Sequence, residues 1–407
     1  MDILRILYLM TTPYATRSYD SEAHIDYIKF VFENWTIPPA ASGWEFHQAP
    51  VYYFISALQM NVGHMLGFSK SLNISLIQIG SLLVSIATLG AGIWIASLLF
   101  AKSKKTERLI FSSMVACLPA LVFLSSRITN NGLYHFFAFL SVALLIKWWK
   151  TNSIMSWYFA IATIAISFTV RVSGLTIFAA AGIILICSNK YKLSKLLLHG
   201  ILSIFLFVSL AGWLPVLRYM EEDPLNSVTF SSQSMNGDMR VPTNIENLIT
   251  FNPIEIVQKP FNDTWNDEYR RKYFPEFMYK SAFFGEFSYP DYIKPIAIFM
   301  LISGMFILII SFIGFISYAL KIKDSVFIPL FLVTFFVLLA HLCYRLMAPF
   351  SANQDFRFSI LLIIPITYWI AIGSELLPKN IRKISNTILL TFYMSCVVFL
   401  LSICFTI

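Results

Sequence analysis

From residue 74 onward the chain alternates long apolar runs with short polar connections. Ten runs stand out: 74–100, 109–126, 131–149, 154–170, 172–188, 196–217, 296–320, 325–346, 358–377 and 384–407. At 1.5 Å per residue, a helix of about 20 residues crosses the ~30 Å hydrocarbon core of a bilayer. Within the runs Lys, Arg, Asp and Glu sit only close to the ends. Each run therefore predicts a spanning helix whose backbone bonds are satisfied internally, as hydrocarbon demands. Two stretches fit less simply. Residues 3–14 hold about a dozen mostly apolar residues, short of the ~20 a span needs, and read as a short interfacial segment or as what is left of a first helix. Residues 50–68 are interrupted by Gln59, Asn61 and His64, and predict a helix lying on the outer face.

Composition narrows the class. Of 407 residues, 57% are hydrophobic and only 13% charged, and the mean hydropathy is +0.69. A water-facing globule carries about twice that charge, and a disordered chain carries fewer aromatics than the 16% found here. The expected fold is an all-α polytopic membrane protein with about ten or eleven transmembrane helices. It is organised as an N-terminal segment (1–17), an external first loop with surface helices (18–73), a six-span region (74–217), an external loop or cap (218–295) and a four-span region (296–407).

Charge sets the orientation. The connections at 101–108, 147–153, 189–195, 321–324 and 378–383 carry fourteen Lys or Arg, Lys321 and Lys323 among them, against the two acids Glu107 and Asp324. By the positive-inside rule these are cytoplasmic. The net charge of +8 then reports membrane orientation, and no nucleic-acid partner is needed to explain it. The five cysteines all fall in apolar runs without a CxxC pair, so they predict packing residues and support neither a zinc site nor a disulfide framework. No cofactor is evident and no metal-ligand set is spaced along the chain; a divalent ion at Asp20 and Glu22 is left open.

The notable polar clusters all map to the external side. Asp20, Glu22, His24 and Asp26 crowd seven positions, and on a helix Asp20 and His24 share a face. A carboxylate there can act as general base toward an acceptor hydroxyl, or Asp20 can simply cap a helix. His47, Gln48 and Tyr52 flank Pro50, which can open the surface helix. Arg127 precedes Asn130 and Asn131 at the outer end of one span. Arg171 closes another, and Arg345 and Arg357 bracket a short outer loop with Gln354 and Asp355. A single arginine at that level snorkels to lipid phosphate. Four of them on the side of a carboxylate cluster suit a phosphorylated lipid, because guanidinium grips phosphate in a bidentate fork.

Tyr19-Asp20-Ser21-Glu22-Ala23-His24-Ile25-Asp26-Tyr27-Ile28, then Ile37-Pro38-Pro39 and Phe46-His47-Gln48-Ala49-Pro50-Val51-Tyr52-Tyr53, resemble the first external loop of the GT-C membrane glycosyltransferases. The similarity is to the branch of protein O-mannosyltransferases, lipid A aminoarabinose transferases and RgtA-like enzymes. Arg127-Ile128-Thr129-Asn130-Asn131-Gly132, Phe283-Phe284-Gly285-Glu286-Phe287 and Gln354-Asp355-Phe356-Arg357-Phe358 are similar to later motifs of that family. Ser21 stands where a second acid is commoner, and Ala49 where the first proline of a Pro-Pro run is usual.

The resemblance implies transfer of a sugar from a polyprenyl phosphate or diphosphate to an acceptor on the external face of a cell or inner membrane, with inversion. Asp20 matches the base, and Glu22 and His24 would orient the acceptor. Arg127, Arg171, Arg345 and Arg357 would steady the departing phosphate, with Asn130, Asn131, His47, Gln48 and Tyr52 lining the substrate. The acceptor would be a glycan, a lipid or a protein hydroxyl, and membrane lipid the other partner. Two alternatives remain at this level: a lipid or sugar transporter or flippase, and an inactive assembly protein of the same fold. A transporter would place ionisable residues at mid-membrane and repeat its breaks in two halves.

Overall fold

A computed structural model describes residues 2–18, 20–188, 190–220, 239–320 and 326–405. Tyr19, Lys321, Lys323, Asp324 and residues 221–238 of the central polar segment lie outside the described residues. Helices dominate, as the apolar runs require. Among the described residues, six are long and apolar enough to cross a membrane: α4 (Lys70–Leu99), α7 (Asn130–Thr151), α10 (Leu193–Ala211), α15 (Lys294–Leu320), α16 (Phe327–Met347) and α18 (Lys379–Cys404). Three shorter apolar helices join them: α8 (Ile154–Val170), α9 (Gly174–Cys187) and α17 (Ile363–Leu376). The chain is an all-α, multi-pass membrane protein.

Three of the ten runs are not single straight helices. Run 109–126 divides into α5 (Lys105–Cys117) and α6 (Pro119–Phe123). Pro119 has no N–H and pushes the residue before it out of the helical region; Leu118 is accordingly extended, at φ −62° and ψ 121°. Run 196–217 breaks at Gly212 between α10 and α11 (Trp213–Tyr219). Run 358–377 opens on 3-10 turns at Phe356–Phe358 and Ile360–Leu362 before α17. There side chains take the backbone donors: Asp355 accepts from Arg357 N at 2.7 Å and Ser281 Oγ from Phe356 N at 2.8 Å. The cysteines also divide: Cys117, Cys396 and Cys404 are buried, while Cys187 and Cys343 are exposed, so packing accounts for only three.

The chain forms two compact units. One comprises residues 2–91 and 123–232. Here α8 packs on α7, α9 and α10, and Trp148 and Trp157 meet at 4.6 Å between ring centroids in the core. The helices α2 (Ser21–Asn34) and α3 (Val51–Met65) pack together. Pro50 stands immediately ahead of α3, as its fixed φ favours. Between α6 and α7, residues 124–129 are non-helical yet buried throughout. Buried irregular backbone needs partners, and one face of α4 supplies them. Gln78 Nε2 donates to Ser126 O at 2.7 Å and Ser81 Oγ to Arg127 O at 2.8 Å. One turn deeper, Ser85 Oγ accepts from Arg5 Nε at 3.0 Å. Arg5 and Tyr8 are buried on α1 (Asp2–Thr11), with Tyr8 against Phe123.

The second unit comprises residues 92–122 and 233–407. α15, α17 and α18 form its centre, with α5 against α17. Backbones touch where α15 crosses α17: a Cβ on Gly314 would overlap Trp369 O, and one on Gly373 would overlap Ile310 O. Only a residue without a side chain permits that approach.

Candidate active site

Asp20 precedes α2 in a left-handed conformation, φ 50° and ψ 27°, exposed and making no side-chain cap bond. Arg17, three residues earlier, is left-handed too, at φ 48°. Each costs on the order of 1–3 kcal/mol in a residue other than glycine, so the surroundings must hold them. Arg127 is one such holder. It is 4% exposed, donates from Nε to Arg17 O at 3.0 Å, and lies over the Phe123 ring at 5.2 Å.

The helix starts at Ser21, so Asp20 and His24 do not share a helical face as the four-residue spacing suggests. His24 turns inward and its Nδ1 lies 2.8 Å from Tyr53 Oη. Tyr53 stacks on Tyr27 at 3.7 Å. Glu22 points outward and accepts from Tyr14 Oη at 2.9 Å. The acids of the first cluster thus face solvent, and its histidine faces the protein.

The second cluster runs as a hydrogen-bond chain into the start of α7. His47 Nδ1 is 3.1 Å from Trp44 O. A carbonyl only accepts, so the neutral ring carries its proton on Nδ1 and leaves Nε2 as acceptor. Gln48 Nε2 donates to that atom at 3.2 Å. Its Oε1 then accepts from Asn130 Nδ2 at 3.1 Å, which also lies 3.2 Å from Val170 O. Asn131 is buried beside it, with Nδ2 3.0 Å from Thr129 Oγ1, the residue that caps α7. Tyr52 is buried on the first turn of α3. Arg171, half-buried, ends α8.

Arg218 on α11 belongs to this site, and the sequence reading passes over it. It is 2% exposed and donates to three carbonyls of the first loop: Pro38 O at 3.1 Å, Phe46 O at 2.7 Å and Gln48 O at 3.3 Å. Its position one residue beyond an apolar run is the one signal it leaves.

Burial, chiefly, with the positive fields of Arg218 and Arg171, pushes the His47 pKa down to about 4, against the opposing bond to Trp44 O. When the loop opens, the ring returns to an ordinary value near 6.5. The open loop therefore binds more protons between these values. Closure is at full strength above pH ~6.5, weakens as pH falls toward 4, and is level below that. Exchange of residues 44–50, taken relative to the intrinsic amide rate at each pH, should rise as pH falls through this window in the wild type, and His47→Gln should flatten the dependence. An unchanged slope in that variant would assign it to another group.

The remaining expected residues belong to the second unit. Arg345 is fully buried on α16, donating from Nε to Gln354 Oε1 at 2.8 Å and from Nη2 to Pro242 O at 2.6 Å. Arg357 Nη1 lies 3.9 Å from Glu286 Oε1, and Glu286 accepts from Thr264 Oγ1 at 2.8 Å. The two later sequence motifs therefore meet through Arg357 and Glu286. The described part of segment 218–295 adds a buried ionic core on α14 (Phe274–Phe284). Glu276 is chelated by Arg270 through two bonds of 2.9 Å. Lys280 donates to the carbonyls of Lys259, Phe261 and Tyr269 at 3.1, 3.2 and 2.7 Å. Among the described residues, no three His, Cys, Asp or Glu gather closely enough to hold a metal ion.

No protein-family model and no curated protein sequence matches the chain. Solved structures do. ArnT from Cupriavidus metallidurans, bound to undecaprenyl phosphate, superposes with a TM-score of 0.57 at 7% identity, over 94% of this chain and 60% of that one. The Archaeoglobus fulgidus oligosaccharyltransferase, in complex with Zn and sulfate, gives 0.53 at 10% identity, over 98% of this chain and 52% of that one. The chain thus spans little more than half the length of these neighbours. Both belong to the GT-C superfamily, and their likeness extends over nearly all of this chain, so it shares the fold of these two proteins.

Proposed function

We propose that the chain transfers a sugar from a polyprenyl phosphate or diphosphate to an acceptor hydroxyl on the external face of the membrane. The observation that carries this reading is an exposed carboxylate, Asp20, held on a strained turn beside an arginine-anchored loop. The general reaction is taken from the fold, and the polyprenyl carrier from the lipid bound to the ArnT neighbour.

In this reading the acceptor oxygen attacks the anomeric carbon as Asp20 takes its proton. The bond from that carbon to the phosphate oxygen breaks, and the configuration inverts. Exposure suits the base, since the proton passes on to water. The leaving phosphate gathers negative charge, which fixed cations stabilise more in the transition state than in the ground state. Arg171 has that role beside the first loop. Arg127 acts at one remove, through the turn that presents Asp20. Glu22 with Tyr14 orients the acceptor, and His24 fixes the inner face of α2. Gln48, Asn130 and Asn131 offer amides to sugar hydroxyls, with His47 and Tyr52 supporting them. Confinement of the donor to the bilayer supplies proximity.

The test is direct. Surface glycoconjugates from cells with and without the gene are compared by mass spectrometry, and the purified protein is offered a panel of polyprenyl-phosphate sugars in liposomes. Loss of one modified species in cells, matched by transfer in vitro, is expected. Identical glycoconjugates together with no transfer from any donor would remove the reading.

A further inference from the structure

Two short helices of the second unit carry a row of large apolar side chains that stay exposed among the described residues. They are α12 (Ile245–Ile249) and α13 (Pro253–Gln258). Ile245, Ile249 and Ile254 are 72%, 67% and 70% exposed. The opposite side is pinned by polar bonds: Asn252 N donates to Glu276 Oε1 at 2.8 Å, and Glu255 pairs with Arg270 at 2.5 Å. The exposed row is therefore held in place, on a segment whose other face is committed.

Its height along the spanning helices can be read from the packing. α12 packs on α14, and α13 on α15. Phe251, between them, meets the Tyr279 ring edge-on at 5.5 Å, and Tyr279 Oη donates to Leu301 O at 2.6 Å. Leu301 is seven residues along α15 from Lys294, about 10 Å from its end. α15 has 27 residues, so it is about 40 Å long against a ~30 Å hydrocarbon core. The level of Leu301 is then close to the hydrocarbon boundary. At that level α15 itself presents Phe299 and Ile302, both over 40% exposed, to whatever surrounds a spanning helix. Tyr292 is 59% exposed just above, next to Lys294, the pairing of aromatic and basic residues found at headgroup depth.

We infer that α12 and α13 form a lipid-inserted foot. The apolar side enters the acyl region of the leaflet at the Lys294 end of α15, continuing that helix's lipid-facing surface, and anchors the segment at a fixed height. The occupant of the exposed row is bilayer lipid, because the row lies on helices packed against α14 and α15 at the level where α15 exposes its own large apolar side chains.

Spin labelling tests this in the full-length protein in phosphatidylcholine liposomes. The exposed Cys187 and Cys343 are first replaced by serine. Single labels are then placed at Ile249, Ile254 and, as an aqueous control, Asp267. Labels at 249 and 254 should be relaxed several-fold more by oxygen than by a water-soluble nickel chelate, and the label at 267 the reverse. The positions are exposed, so a label does not strain the fold. Nickel accessibility at 249 and 254 equal to that at 267 overturns the foot. So does a spin–spin coupling at 249 or 254 that vanishes on dilution with unlabelled protein, since a second copy would then occupy the row.

Discussion

Asp20→Asn is expected to abolish sugar transfer while the protein inserts and folds as before. A positioned general base contributes typically 10²–10⁴-fold, and an amide cannot take the acceptor's proton. Folding should be indifferent, because the Asp20 side chain is exposed and caps nothing. Asparagine also tolerates the left-handed conformation of that position. The substitution therefore separates chemistry from structure more cleanly than alanine would. Asp20→Glu should retain a small fraction of activity, since the carboxylate survives but its reach changes. Initial rates with a radiolabelled donor, beside thermal unfolding of each variant, give the answer. Turnover by the asparagine variant at the wild-type rate would remove Asp20 as the base.

The second large effect is structural. Arg218→Ala should cost about 3–5 kcal/mol and free residues 36–48. The guanidinium occupies three buried carbonyls at once, and each buried polar group left unpaired costs roughly 1–3 kcal/mol. Arg218→Lys should fall between, because a single ammonium on a flexible stem cannot reproduce the planar fork. Loss of the positive field should also let the His47 pKa climb, since Arg218 is among the groups that hold it down. Limited proteolysis and thermal unfolding measure the first effect, and the pH dependence of exchange at residues 44–50 the second. A variant with wild-type unfolding and an intact, protected loop would mean these bonds do not hold it.

The helical class was legible because hydrocarbon leaves few other options for a chain so poor in charge. The breaks were harder to read. Pro119 and Gly212 are visible in the sequence, but single residues inside apolar runs weigh little against hydropathy averaged over a span. Gln78, Ser81 and Ser85 are likewise sparse within α4; their meaning depends on which buried carbonyls they face. Within the site, Asp20, His24, His47, Gln48 and Asn130 were flagged by residue type, but their pairing was not. Asn130 lies 82 positions from Gln48, and Arg218 lies 172 from Phe46. Such partners are set by tertiary packing, which local spacing does not encode. The chosen turn conformation at Asp20 also defeated the simple four-residue rule. Lys280 and the Arg270–Glu276 pair were lost in a stretch where polar residues are common and burial has no local signature.

The meeting of Gly314 and Gly373 bears on how the second unit can move. Where two helices touch main chain to main chain, no side chains stand between them to change rotamer and admit a new register. Sliding or tilting would drive backbone atoms into one another, so α15 and α17 travel as one rigid strut. A displacement of either helix within the second unit therefore carries the other with it.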